Sequence, residues 1–211
     1  AATRALSRRL TQRLQEARLA AEAQALTDPL TGLANRRAMD ARLEQALADL
    51  SEEFSLLHID LDLFKEVNDT HGHAAGDAVL ARVGEMLRDD LRVCDMAGRI
   101  GGDEFLVLLP GCTEEAELAA VAARLIAAVE QPVPFEERLC KISASIGITI
   151  SLSYPQRPAL DTLLADTDAA LYAAKRAGRG RHRLHRAPFA PQARPACLPD
   201  RPRRRRGDSA G

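Results

Sequence analysis

The 211-residue chain is 46% hydrophobic and 28% charged, proportions of a globular protein long enough for a sizeable core. Its net charge of −1 is uneven: residues 186–211 carry seven Arg against two Asp, which leaves 22 basic and 28 acidic residues in 1–185. A mildly acidic folded part excludes a nucleic-acid-coating role, and no apolar run reaches the roughly 18 residues that span a bilayer. Aromatics are only 3% and Trp is absent, so the core must come from Leu, Ala, Val and Ile. Cys94, Cys112, Cys140 and Cys197 show no CxxC spacing and no pairing with His, which reads as free thiols in a reducing compartment. No signal peptide is visible, and Ala1 in place of Met reads as a piece of something longer.

Residues 1–25 are rich in helix formers, with Leu6, Leu10, Leu14, Ala17 and Ala21 on one narrow stripe. A coiled-coil linker from an upstream domain is expected there, in preference to a helix packed on its own domain. Pro29 and Gly32 then break the helix, and a second helix is expected from about Asn35 to Leu50, with Met39, Leu43, Ala46 and Leu47 inward. Phe54–Asp62 is a strand whose continuous apolar run makes it central and whose end carries acids. Leu63–Asp69 reads as a short helical turn and His71–His73 as a loop, with His71 facing solvent. Gly76–Asp77 opens a helix to about Leu91, with Val79, Leu80, Val83 and Leu87 inward.

Asp95–Ile100 and Glu104–Leu109 form a hairpin around Gly101-Gly102, glycines suited to a positive-φ turn. Read by itself, this is as much an ordinary hairpin with solvated acids as a site. Thr113-Glu114-Glu115 should cap a helix to about Glu130. Cys140–Leu152 is a strand with Gly147 at a bulge or close approach, Asp161–Ala177 a helix ended by Gly178, and His182–His185 a last short strand. The tail from Ala187, with five Pro and the Arg203–Arg206 run, reads as a disordered, solvated tail. Alternating helices and strands make the domain α/β. The expected division is 1–25 linker helix, 26–185 folded domain and 186–211 tail.

If the strand ending in Asp60 and Asp62 neighbours the strand beginning at Asp103 and Glu104, carboxylates from both meet. Such a group repels itself unless a hard dication neutralises it, with the Leu61 carbonyl and a nucleotide's phosphates completing the shell. The turn at Leu63, Phe64 and Lys65 would aim N–H groups at phosphate oxygens. Asn68 and Asp77 can read the amide edge of guanine, and Lys175 and Arg179, four apart near a helix end, suit a triphosphate.

These residues resemble the GGDEF-domain diguanylate cyclases over roughly residues 26–185. The match rests on Asp28 to Arg37, on Asp60-x-Asp62-x-Phe64-Lys65-x-x-Asn68-Asp69-x-x-Gly72-His73-x-x-Gly76-Asp77, on Gly101-Gly102-Asp103-Glu104-Phe105, and on Ala169-Leu171-Tyr172-Ala174-Lys175-Gly178-Arg179. The resemblance implies an α/β (α+β), nucleotidyl-cyclase palm-like fold: a βααββαβ core with a central mixed antiparallel sheet flanked by helices. It implies condensation of two GTP to cyclic di-GMP and two pyrophosphates by a cytoplasmic catalytic domain facing its copy in an antiparallel homodimer. Asp60, the Leu61 carbonyl and Asp103 would bind Mg²⁺ or Mn²⁺, two ions per active site. Asp103 would accept the 3′-OH proton, with Glu104 assisting. Phe64, Lys65, Asn68, His73, Asp77, Lys175 and Arg179 would bind substrate.

Arg92-Val93-Cys94-Asp95 resembles the family's RxxD inhibitory site, so Arg92 and Asp95 would grip the product; outside that resemblance they read as a helix-end ion pair. Ala34 stands where the entry motif often has Pro, and Gly180 where Asn often follows Arg179. One rival is a catalytically weak GGDEF module sensing GTP or cyclic di-GMP, opposed by the intact Asp60, Asp103 and Glu104. The other is a cyclase of adenine or mixed nucleotides, opposed by Asn68 and Asp77. His58, in mid-strand, reads as a satisfied core residue. A sensor domain outside this stretch is expected, and no nucleic-acid partner.

Overall fold

The computed structural model describes residues 25–186; the expected linker helix and the Arg-rich tail lie outside the described residues. The chain runs β1 (Ala34–Asn35), α1 (Arg36–Ala48), β2 (Phe54–Asp62), α2 (Phe64–His71), α3 (His73–Asp90), β3 (Met96–Gly101), β4 (Glu104–Pro110) and α4 (Glu115–Val129). It continues β5 (Val133–Phe135), β6 (Arg138–Cys140), β7 (Ser143–Ile150), a 3₁₀ turn (Ser151–Ser153), α5 (Leu160–Arg176) and β8 (His182–Leu184). From β2 to β7 the large elements follow the expected βααββαβ order, interrupted only by the small β5–β6 hairpin.

The main sheet has the order β1-β3-β4-β2-β7-β8. β2 lies antiparallel between β4 and β7, while β1 and β8 are added parallel at the two edges. All nine residues of β2 are buried, as its unbroken apolar run requires of a central strand. Its alternate positions face two cores. Leu57, Ile59 and Leu61 join Val79, Val83 and Leu87 of α3 and Leu118, Ala122 and Leu125 of α4. Phe54 and Leu56 pack with Met39, Leu43 and Ala46 of α1 and Leu163 of α5.

Gly147 is where the sheet and α5 come closest. A Cβ there would stand 2.2 Å from the Thr167 carbonyl oxygen and 2.4 Å from the Leu171 nitrogen, so only glycine permits the approach.

Several expectations are corrected. Residues 71–73 are not a loop: α2 runs to His71 and α3 starts at His73, three residues before Gly76. Gly72, with φ +84, makes the whole turn between them. His71 is the half-buried last residue of α2, not a solvent-facing loop residue. α4 has Glu114 at its N-cap without a side-chain cap; Glu115 and Glu117 in its first turn meet the positive end of the helix instead. The strand expected from Cys140 is broken, with Cys140 ending the unforeseen β5–β6 hairpin and β7 starting at Ser143. Gly101 and Gly102 are not among the positive-φ residues; the hairpin instead has a register shift between Arg99 and Gly101. Among the described residues, no helix is long and apolar enough to cross a membrane.

Candidate active site

Strand register places Asp60 of β2 directly opposite Glu104 of β4 and Ser145 of β7. The carboxylates of two strands therefore meet at one end of the sheet. Asp103 sits in the turn one residue earlier, and its carbonyl accepts the Leu61 N–H at 3.2 Å, which docks the turn on the end of β2. Asp60 is buried, and burial raises its pKa above the usual carboxylate value; Lys175 opposes this, while Asp103 and Asp62 add to it. Lys175 Nζ lies 2.7 Å from Asp60 Oδ2. Among the described residues no three His, Cys, Asp or Glu side chains gather as a metal-binding group. The donors on hand are two carboxylates and the Leu61 carbonyl, a set that suits a hard cation sharing its shell with phosphate oxygens.

Asp62 does not join this group. Ser145 Oγ donates to its two oxygens at 3.0 and 2.9 Å, and the Gly180 N–H donates to Oδ2 at 3.0 Å. Arg179 Nε lies 3.6 Å from Oδ1. Asp62 thus braces the turn after α5. Arg179 is not one helical turn beyond Lys175, because α5 ends at Arg176; it sits past the helix with φ 58, its side chain largely exposed.

After β2 the chain turns at Leu63, a non-glycine residue at φ 67 and 48% exposed. Strain of this kind is tolerated where the backbone must be aimed. Leu63 is the N-cap of α2 and gives no side-chain cap hydrogen bond, so the first-turn N–H groups remain for another acceptor. Phe64 enters the core; its side chain is not a surface for substrate, and what it can offer is its backbone. Lys65, His73 and Asp77 are exposed and Asn68 is half-buried. Asn68 Oδ1 occupies the space over Gly76, 2.0 Å from where a Cβ would stand, which sets the amide of α2 against the first turn of α3 beside Asp77.

Arg99 braces the acidic turn in a way sequence reasoning missed. Its Nε and Nη2 donate to the Gly102 carbonyl at 3.0 and 2.8 Å, and Nη1 lies 3.4 Å from Asp28 Oδ2. Asp28 also accepts the Thr31 N–H and hydroxyl at 2.8 and 2.7 Å. The acidic turn is therefore tied to the entry loop. Arg36 Nε adds a bond to the Ile100 carbonyl at 3.0 Å.

His58 does not behave as a satisfied core residue. Its Nε2 is buried without a hydrogen-bond partner, 3.8 Å from Glu104 Oε2.

The family model for the diguanylate cyclase GGDEF domain matches residues 25–181. The chain belongs to the GGDEF diguanylate cyclase family. It is 41% identical over 176 residues to the diguanylate cyclase TpbB of Pseudomonas aeruginosa, covering 82% of this chain and 40% of that one. The chain thus spans well under half the length of that curated relative. Among solved structures, the coiled coil and GGDEF domain of DgcB from Caulobacter crescentus, in complex with c-di-GMP, superposes with a TM-score of 0.80 at 29% identity. That match covers 87% of this chain and 97% of the other. The GGDEF domain of TpbB from P. aeruginosa gives a TM-score of 0.70 at 40% identity, over 75% and 94% of the two chains.

In this GGDEF domain the Arg92–Asp95 segment is a tight turn past α3, not a side-chain ion pair. Asp95 Oδ2 accepts the Arg92 N–H at 2.9 Å, and the Asp95 N–H donates to the Arg92 carbonyl at 3.0 Å. The Arg92 guanidinium reaches across to α4 and lies 2.6 Å from Glu117 Oε1, a bond that raises its pKa. Arg92, Asp95 and Arg124 line one hollow, with Cys112 at its base. Arg124 was not singled out from the sequence, where it lies among the alanines of an ordinary amphipathic helix.

Proposed function

We propose that this domain condenses two GTP into cyclic di-GMP and two pyrophosphates, with two copies facing each other antiparallel and one GTP held by each. The observation that carries the reading is the register pairing of Asp60 with Glu104, with the Asp103 turn docked on the Leu61 N–H. The Asp60 and Asp103 carboxylates and the Leu61 carbonyl would hold Mg²⁺ or Mn²⁺, two ions with Glu104 assisting, and bound metal supplies charge neutralisation at the α-phosphate and the 3′-oxygen. Asp103 accepts the 3′-OH proton. Lys175, Arg179 and the first-turn N–H groups of α2 neutralise and orient the triphosphate, and Lys65 and His73 border it. Asn68 and Asp77 take the guanine edge. The chemistry is phosphoryl transfer by positioning and electrostatics, so each group contributes through where it is held. Among the described residues, its chain neighbours aside, no atom lies within 4 Å of a Cβ position at Gly102, which supports a close approach there by nucleotide or partner subunit.

Arg92 and Asp95, with Arg124 beside them, form the proposed inhibitory site, where guanidinium groups and a carboxylate recognise the phosphates and guanine of the product.

The test is product analysis after incubating the purified chain with GTP and Mg²⁺. Cyclic di-GMP is expected, with none from Asp103→Asn. Absence of product from a dimeric sample overturns the cyclase reading in favour of a nucleotide-sensing module, and equal turnover of ATP overturns the guanine assignment. Sedimentation with and without residues 1–25 reads whether that segment drives the dimer.

A further inference from the structure

We propose that His58 is a positioning residue for Glu104, its imidazole Nε2–H fixing the carboxylate's orientation at the reacting end of the sheet. The inference deepens the cyclase reading and rests on it for Glu104's role.

His58 stands on β2 two residues before Asp60, on the same face. It pairs with Leu106 on β4 and with Gly147 on β7. Gly147 is where α5 descends onto the sheet, so the imidazole is roofed by the helix around Asp168. His58 is 8% exposed, its ring wedged between two carboxylates: Nε2 is 3.8 Å from Glu104 Oε2 and Nδ1 is 3.8 Å from Asp168 Oδ1. Lys175 and Asp60 complete its charged surroundings.

The two nitrogens are not equivalent. Asp168 is 70% exposed, so water can serve both it and the nitrogen facing it. Nε2 is buried and has no hydrogen-bond partner, and the carboxylate it faces is that of Glu104. A bare lone pair there would be both unsatisfied and repelled by the carboxylate. An N–H there has an acceptor one small rotation of Glu104 away. Of the two nitrogens, Nε2 is where the surroundings ask for the N–H.

A buried polar atom costs stability unless it finds a partner. Here it sits on a rigid central strand under a close-packed helix, the setting in which a supporting side chain holds a functional carboxylate to a fraction of an ångström. Asp60 is held by Lys175. Among the described residues, Glu104 has no such partner other than His58.

The experiment uses the full chain and three readouts. In ¹⁵N-histidine-labelled protein, His58, assigned by its loss in His58→Leu, is expected as the Nε2–H tautomer, with that nitrogen shifting in Glu104→Ala. In steady-state assays, His58→Leu is expected to lower kcat about tenfold with KM for GTP within threefold and Tm unchanged or raised. His58→Gln, whose amide N–H can reach Glu104, is expected to recover a substantial part of kcat. The proposal is overturned by an Nδ1–H tautomer indifferent to Glu104→Ala, by His58→Leu at wild-type kcat, by no rescue in His58→Gln, or by a kcat loss that tracks a fall in Tm. If the wild-type chain makes no cyclic di-GMP while the tautomer and the Glu104→Ala shift are as expected, the cyclase reading fails and the His58–Glu104 contact stands.

Discussion

Lys175 Nζ and Asp60 Oδ2 stand 2.7 Å apart, joining the last turn of α5 to the end of the central strand. The same lysine is proposed to serve a phosphate of the substrate, and the same aspartate a metal ion. The ion pair holds both groups at the site and favours the charged form of a carboxylate whose pKa burial raises. Lys175→Ala is expected to lower kcat/KM for GTP by roughly 10- to 100-fold, mostly through KM, and to raise the Mg²⁺ concentration for half-maximal rate. Titrations of rate against GTP and Mg²⁺ check this. An unchanged KM sinks the phosphate role.

Asp28 gives a pH-dependent prediction remote from the proposed chemistry. Burial opposes its ionisation, but bonds from the Thr31 side chain and backbone and the charge of Arg99 prevail, so its pKa lies below the ordinary value of 3.8. A depressed folded-state pKa contributes stability that is present above the unfolded value and lost as pH falls through the folded one. Asp28→Asn should therefore cost about 1–2 kcal/mol at pH 7, a deficit that shrinks once pH drops below 3.8. Denaturant midpoints at pH 7 and pH 3 read the difference. A deficit that is the same at both pH values contradicts the assignment.

The central strand was legible because an apolar run ending in Asp60 and Asp62 has few other uses, and the acidic hairpin because two short apolar runs flank it. Gly147 was legible as a close approach because glycine interrupts an otherwise apolar strand. What escaped was set by distance in the chain. Arg99 and Asp28 are 71 residues apart, and neither has a spacing that announces the other. Asp62 was grouped with Asp60 because both close the same strand; its partners, Ser145 and Gly180, come from β7 and the turn after α5. The glycine pair was expected to carry positive φ, yet the hairpin absorbs its geometry in a register shift, and among the described residues nothing beyond its chain neighbours fills the space over Gly102.

The Arg92–Glu117 pair competes with the proposed product site for the same guanidinium. Both side chains are substantially exposed, so the pair is weak. Glu117→Gln should then tighten cyclic di-GMP binding by about two- to fivefold, and Arg92→Ala should remove it. Isothermal titration with cyclic di-GMP separates these outcomes without relying on turnover. Unchanged binding in Arg92→Ala refutes the site.

Two glycine-to-alanine substitutions should fail in different ways, because their added methyl groups meet different obstacles. At Gly147 the obstacles are backbone atoms of α5, at 2.2 and 2.4 Å, which cannot yield without lifting the helix off the sheet. Gly147→Ala is expected to destabilise the fold by about 2–4 kcal/mol and to lower activity as α5 carries Lys175 away from Asp60. At Gly76 the nearest obstacle is the far end of the Asn68 side chain, at 2.0 Å, which can swing aside. Gly76→Ala should leave Tm within a few degrees of wild type while displacing the amide proposed to read guanine, which raises KM for GTP and narrows discrimination against ATP. Tm measured beside KM for both nucleotides decides it. A Gly76→Ala variant with native KM would show that Asn68 does not hold the base.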